Sequence, residues 1–278
     1  MKRALALTVL LACGGSAFGF ADPAFRETKV PLGSGAFLIV RAPVGTERPR
    51  PADEPNGFPS LVWFHGGGLT KGHAGHGVFG GDLHLIQVLV EYRLMSPSNS
   101  VRAAECIHDA AEAIAWTLDH IAEYGGDPKR VYVSGHSAGG YLTMMTGMDP
   151  RHLAAFGHKP TDLAGLIPIS GQATKHFNVR NFEGDTRSQY FPVIDDLAPL
   201  AHVTNAIPPM LVVCGQPPYE WKGRAEENRF LVSTLNALGD DKAWYVEAPG
   251  CDHGTVGEVA EVYVRDFIRG RFVPSQGK

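Results

Sequence analysis

The chain has 278 residues, with 25 Lys+Arg against 29 Asp+Glu and a formal charge of −4. At 44% hydrophobic and 19% charged residues, the composition is that of a globular protein with a sizeable core, not of a disordered or collagen-like chain. The near-neutral balance offers no basic stripe for nucleic acid, and 33 Gly with 20 Pro argue for many tight turns and against a coiled coil or helical bundle.

Residues 1–21 read as an address. Lys2 and Arg3 precede an apolar run over 4–12, and small residues follow up to Ala21. A charged start, a short apolar run and a small-x-small site describe a secretory signal peptide cleaved before Asp22. The run is shorter than the ~20 residues that cross a bilayer, and no later stretch is long enough, so no membrane span is expected. A second reading takes Leu10-Leu11-Ala12-Cys13 as a bacterial lipobox, with a lipid anchor on Cys13. The expectation is a secreted or periplasmic protein, the alternative a membrane-tethered lipoprotein. After Asp22 the cysteines are Cys106, Cys214 and Cys251. An odd number permits at most one bridge, and without a CxxC pair a zinc knuckle has no support.

From Asp22 onward, apolar β-rich runs alternate with helical patterns. Strands are expected over 37–40, 61–64 and 86–92, with a proline-rich loop (Pro43, Pro49, Pro51, Pro55) after the first. Over 102–124, Ile107, Ala111, Ile114, Leu118 and Ile121 recur at helical spacing, and Gly125-Gly126-Asp127-Pro128 is the stop. Further strands are expected over 131–134, 163–169, 210–214 and 244–247, with a helix over 225–238. Strands that lack polar alternation and are separated by helices indicate a mostly parallel sheet covered on both faces. One α/β domain over 22–278 is the simplest division. Reactive groups then belong on loops at the carboxyl ends of the strands.

Two motifs carry chemistry. Gly135-His136-Ser137-Ala138-Gly139-Gly140 lies between a strand ending near Ser134 and a helix expected from about Tyr141. G-x-S-x-G in a strand-turn-helix setting is the nucleophile elbow, whose sharp turn holds a serine hydroxyl above the sheet. His65-Gly66-Gly67-Gly68 follows the strand over 61–64. This HGGG-type loop offers backbone N–H groups to a tetrahedral oxyanion. The candidate oxyanion donors are Gly67, Gly68 and Ala138.

With these motifs, Tyr92-Arg93-Leu94 and Asp252-His253-Gly254, the sequence resembles the α/β-hydrolase superfamily. Within it, the chain is similar to the HGGG carboxylesterases of the hormone-sensitive-lipase-like, kynurenine-formamidase-like and feruloyl- or acetyl-esterase group. The resemblance implies the α/β-hydrolase fold, with a small cap after the sixth strand. It also implies cofactor-free and metal-free hydrolysis of carboxylic esters through an acyl-serine. The order Ser, acid, His along the chain points to His253 as general base, with His202 ordering a loop instead. The acid departs from the pattern. After Gly215 comes Gln216-Pro217-Pro218, so Pro218 stands where the family places a carboxylate. Glu220 is the expected acid; Glu226 and Glu227 are fallbacks expected on the next helix, facing solvent. Asp252 is too close in sequence to turn onto the His253 ring.

Three smaller expectations complete the reading. Cys214 and Cys251 stand at neighbouring strand ends, as two buried thiols or as a bridge between the acid and base loops. His73-x-x-His76 lacks a third ligand at defined spacing and reads as a solvated loop. Between Ile169 and Met210, Phe177, Phe182, Tyr190 and Phe191 line a pocket or form a satellite core. Gln172, Arg180 and Trp221 are the candidate contacts to a polar substrate. No large lid is evident, which favours short-chain or carbohydrate-linked esters of acetyl or feruloyl type, with a small-molecule or oligosaccharide substrate. Two other functions compete. One is a peptidase-like amide hydrolase, whose family normally carries a propeller domain that this length does not accommodate. The other is a catalytically silent binding protein, motivated by Pro218.

Overall fold

A computed structural model of the chain describes residues 25–44, 56–75, 84–239 and 241–273. The signal-peptide and Cys13 readings, and His76, lie outside the described residues. Eight strands form one sheet in the order β1-β2-β4-β3-β5-β6-β7-β8. They are β1 (Phe25–Pro31), β2 (Phe37–Pro43), β3 (Phe58–Phe64), β4 (Ile86–Glu91), β5 (Gly126–His136), β6 (Gly165–Ile169), β7 (Met210–Gly215) and β8 (Ala243–Ala248). β1 and β2 run antiparallel at one edge; from β4 through β8 every pairing is parallel. This is the α/β-hydrolase architecture that the motifs imply.

The helices are α1 (Ala103–His120), α2 (Ala138–Met148), α3 (Pro150–Ala154), α4 (Phe177–Phe182), α5 (Arg224–Ala237) and α6 (Val256–Ile268). Alternation along the strands sorts the core into two layers. Val62, Phe64, Val88, Val90, Met210 and Val212 pack with α1, α2 and α5, whereas Leu61, Trp63, Leu211 and Val213 pack with Val256, Ala260, Val264 and Ile268 of α6. α2 is buried along its whole length, because it is wedged between the sheet, α1 and the segment 170–209. Asp109 of α1 does not face solvent. It is fully buried and takes Arg93 in a two-pronged bond, Nη2 to Oδ1 at 2.6 Å and Nε to Oδ2 at 2.9 Å. That pair gives the Tyr92-Arg93-Leu94 motif a structural purpose. The short α4 and a 3-10 turn at Pro199–His202 make up the regular structure of the segment between β6 and β7.

The register places the reactive loops together. Phe64 of β3 pairs with Gly135 of β5, and His136 pairs with Ile169 of β6. Cys214 and Gly215 of β7 pair with Glu247 and Ala248 of β8. The chain therefore leaves β3, β5, β6, β7 and β8 at one carboxyl edge, carrying His65, Ser137, Ser170, Glu220 and His253 with it. No helix among the described residues is long and apolar enough to cross a membrane.

Candidate active site

Ser137 sits between β5 and α2 at φ 57° and ψ −114°, a left-handed conformation that costs a non-glycine residue about 1–3 kcal/mol. The surroundings hold it there. Its N–H donates to Ile169 O at 2.9 Å, and its carbonyl accepts from Tyr141 N at 3.0 Å. The motif glycines make the turn possible by close approach. A Cβ on Gly139 would lie 1.9 Å from the Phe64 carbonyl oxygen, so only hydrogen there lets α2 begin against β3. The helix starts at Ala138, three residues before the sequence reading placed it.

His253 arrives from the loop between β8 and α6. Its Nε2 is 2.9 Å from Ser137 Oγ and its Nδ1 is 2.7 Å from Glu220 Oε1. A carboxylate only accepts, so Nδ1–H donates to Glu220 and the Nε2 lone pair faces the serine hydroxyl. Glu220 is buried, with Oε2 accepting from Ser170 Oγ at 2.5 Å and Gly215 N at 3.0 Å, and Oε1 also accepting from Trp221 N at 2.8 Å. Burial opposes its ionisation, but the bonds and charge from His253, with those from Ser170 and Trp221, outweigh burial and pull its pKa down to about 2. The turn that carries the chain past Pro218 to Glu220 is closed by Glu220 N donating to Gln216 O at 3.1 Å. Gln216 also stitches the acid loop to the base loop, through its N–H to Cys251 O and its Oε1 to Gly250 N, both 2.8 Å. Asp252 turns away from the ring and caps the base loop, accepting from Gly254 N and Thr255 N at 2.8 Å.

Gly67 and Gly68 have φ +107° and +66°, and a Cβ on Gly67 would lie 2.0 Å from Lys71 O. The loop is held by its carbonyls, Gly67 O accepting from Lys71 N at 3.1 Å and Gly68 O from Asn178 Nδ2 at 2.8 Å. The N–H groups of Gly67, Gly68 and Ala138 donate to no protein acceptor among the described residues. Gly67 and Gly68 border a cavity of about 860 Å³ that also takes in Ser137, His253, Trp63, Phe177 and Trp221, within the size range of small-molecule sites; Ala138 follows Ser137 directly at the start of α2.

Sequence reasoning did not find Ser170, Gln216, Asn178 or the role of His136. His136, between the glycine and the serine of the elbow, donates Nε2–H to His253 O at 2.8 Å. Burial and the neighbouring His253 lower its pKa to about 4, which keeps the ring neutral near pH 7. No single-residue signal marks these positions, since each acts through a contact that only the fold creates.

The remaining residues singled out in the sequence have these places in the structure. Gln172 does not border the cavity at Ser137. It lies in the wall of a second, smaller cavity, with Nε2 bonded to Thr174 Oγ1 at 3.1 Å and Lys175 O at 3.2 Å. Arg180 is buried and bonded to Asp185 and to the Phe191 carbonyl. Trp221 borders both cavities. Glu227 is mostly covered rather than solvent-facing, bonded to Thr174 and paired with Arg224 at 3.1 Å. Cys214 and Cys251 are unbridged. Strand ends can be neighbours while their side chains point apart, and Cys214 lies in the α1/α2/α5 layer whereas Cys251 lies in the α6 layer. His202 orders its own segment by donating to Asp196 O at 2.9 Å. His73 bonds to Ala74 O. The carboxylates of a His108, Asp109 and Glu112 cluster are already taken by Arg93 and by the Gly33 and Ser34 N–H groups.

Comparison with known proteins agrees with this architecture. The BD-FAE family model matches residues 49–217, which include the HGGG loop and the elbow and stop three residues before Glu220. The probable carboxylic ester hydrolase LipM of Mycobacterium tuberculosis is 26% identical over 219 residues, 70% of this chain and 49% of that protein. Esterase LipC of the same organism is 27% identical over 212 residues, 70% of this chain and 51% of its own length. The chain thus spans about half the length of these relatives. Among solved structures, a bacterial heroin esterase superposes with a TM-score of 0.67 at 20% identity, covering 92% of this chain and 86% of its own. A butyrate-bound esterase from Thermogutta terrifontis gives 0.63 at 21% identity, covering 87% and 92%. The chain belongs to the BD-FAE family and has the α/β-hydrolase fold.

Proposed function

We propose that this protein is a serine carboxylic-ester hydrolase acting through an acyl-serine. The observation that carries the reading is the relay from Ser137 Oγ through His253 to an ionised Glu220, at 2.9 and 2.7 Å. His253 Nε2 takes the serine proton as Oγ attacks the ester carbonyl, and the ring returns that proton to the departing alcohol. Glu220 keeps Nδ1 protonated and stabilises the imidazolium that forms. The N–H groups of Gly67, Gly68 and Ala138 receive the oxyanion. Water then repeats the sequence on the acyl-serine, with the same base, and frees the acid.

The substrates of this reading are short-chain or carbohydrate-linked esters of acetyl or feruloyl type, reached after export with cleavage before Asp22. The names of the ester-hydrolysing relatives and the butyrate held by one fold neighbour support an ester substrate. Phe177 and Trp221 give the cavity an aromatic side suited to an aryl or sugar ring. Pro218 motivates a silent-binding reading, and the 2.7 Å contact between Glu220 and His253 weighs against it. Purified protein with p-nitrophenyl acetate should show a burst and then turnover, and Ser137→Ala should lower kcat by at least about a thousandfold. Equal rates for the two proteins would exclude the reading.

A further inference from the structure

The loop that supplies Glu220 brings a second side chain to His253. Trp221 lies nearly flat on the imidazole, with ring centroids 4.7 Å apart and planes 21° from parallel. Its backbone N–H bonds Glu220 Oε1, so its main chain serves the acid while its side chain covers the base. Hydrogen bonds at Nδ1 and Nε2 fix two points on the edge of the imidazole. They leave one freedom, tilt about the line joining the two nitrogens, and a stacked face removes it.

The same face meets a change of charge. Attack converts imidazole to imidazolium, and an indole within about 6 Å attracts a cation more strongly than the other aromatic side chains do. Charged and titratable groups lie around the pair, among them His176, whose ring stacks on Phe177, which in turn meets the Trp221 ring. Glu220 approaches from the β7–α5 loop, and His136, from the elbow, bonds the His253 carbonyl. Arg224 of α5 lies 5.8 Å from the Trp221 ring and is paired with Glu227. Asp252 is turned toward Gly254 and Thr255, while Lys71, Glu258 and Glu261 stand in the cavity wall.

We propose that Trp221 is a positioning residue for the general base, holding the tilt of the His253 ring and favouring its protonated form in the transition state. The inference rests on the ester-hydrolase reading above. Trp221→Leu keeps a cover over the imidazole but removes the π face, and Trp221→Phe keeps a face. The assays are kcat and KM for p-nitrophenyl acetate over about pH 5 to 9, and an NMR titration of the His253 imidazole. Trp221→Leu should lower kcat roughly three- to tenfold, whatever rise in KM the lost aromatic wall brings. The acidic limb of its rate profile and the NMR midpoint should both move down by about half to one pH unit, and Trp221→Phe should recover most of both. A Trp221→Leu protein with wild-type kcat and midpoint, or with only KM raised, would overturn the proposal. The NMR midpoint needs no turnover, so it decides the role of Trp221 even if the ester reading fails. Absence of turnover in the wild type would count against that reading alone.

Discussion

Replacing Glu220 by Gln tests the acid directly, and the structure sets the size of the effect. The carboxylate accepts four hydrogen bonds, from His253 Nδ1, Trp221 N, Ser170 Oγ and Gly215 N. A carboxamide has one accepting end. If its oxygen faces His253 and Trp221, its NH2 confronts the Gly215 N–H. If it flips, the NH2 confronts Nδ1 and favours the tautomer whose proton sits on Nε2, where it cannot accept from Ser137. Loss of the productive tautomer costs about four orders of magnitude in kcat, equivalent to about 5 kcal/mol of transition-state stabilisation. The assay is kcat for p-nitrophenyl acetate, with Glu226→Gln as the control because Glu226 is on the exposed side of α5. Glu227→Gln should weaken folding through its lost Thr174 and Arg224 contacts without a comparable fall in kcat. A Glu220→Gln protein within about tenfold of wild type would refute the assignment.

Four other outcomes follow from the same geometry. His136 and His176 are held neutral by burial, with pKa values lowered to about 4 and about 3. The unfolded chain therefore takes up protons first as pH falls, and stability present above about pH 6.5 is lost toward pH 4 and below. For His136 the loss by pH 4.5 is about 2–3 kcal/mol, so denaturant midpoints should drop less on acidification in His136→Gln than in wild type; parallel curves would contradict this. Gly139→Ala should not yield folded protein, given the 1.9 Å approach to the Phe64 carbonyl. Gly257→Ala, within α6 and with nothing inside 4 Å of its Cβ, should raise stability by up to about 1 kcal/mol, both read from circular-dichroism melts. Under denaturing conditions without reductant, Cys106, Cys214 and Cys251 should all titrate as thiols, and a peptide joining Cys214 to Cys251 would contradict the layering of the core.

The central sheet was legible because its strands are buried on both faces, which writes them as unbroken apolar runs such as 61–64 and 210–214. β1 was not, because Arg26, Glu27 and Lys29 make it read as a charged loop; such charges blunt an edge strand against unwanted pairing. β5 begins at Gly126, inside a Gly-Gly-Asp-Pro stretch that local chemistry marks as a turn. α6 carries its core face as Val256, Ala260, Val264 and Ile268, a spacing of four that the neighbouring valines and Gly257 obscured. At the site, Ser137 and the HGGG loop declare themselves because their chemistry needs particular residues at fixed spacing. The acid does not, since any carboxylate within reach of Nδ1 serves and reach depends on how Gln216–Glu220 turns. Gln172 looked available as a side chain in a loop. Its amide is consumed by bonds to Thr174 and Lys175 that no linear pattern encodes.

The most direct test of the central claim, that His253 activates the Ser137 hydroxyl, is covalent trapping of that hydroxyl. Protein treated with diethyl p-nitrophenyl phosphate and mapped by mass spectrometry should gain a single diethylphosphoryl group on the peptide containing Ser137, with Ser137→Ala and His253→Ala unlabelled. Wild-type protein that stays unlabelled, or a Ser137→Ala protein labelled as fast as wild type, would contradict the account.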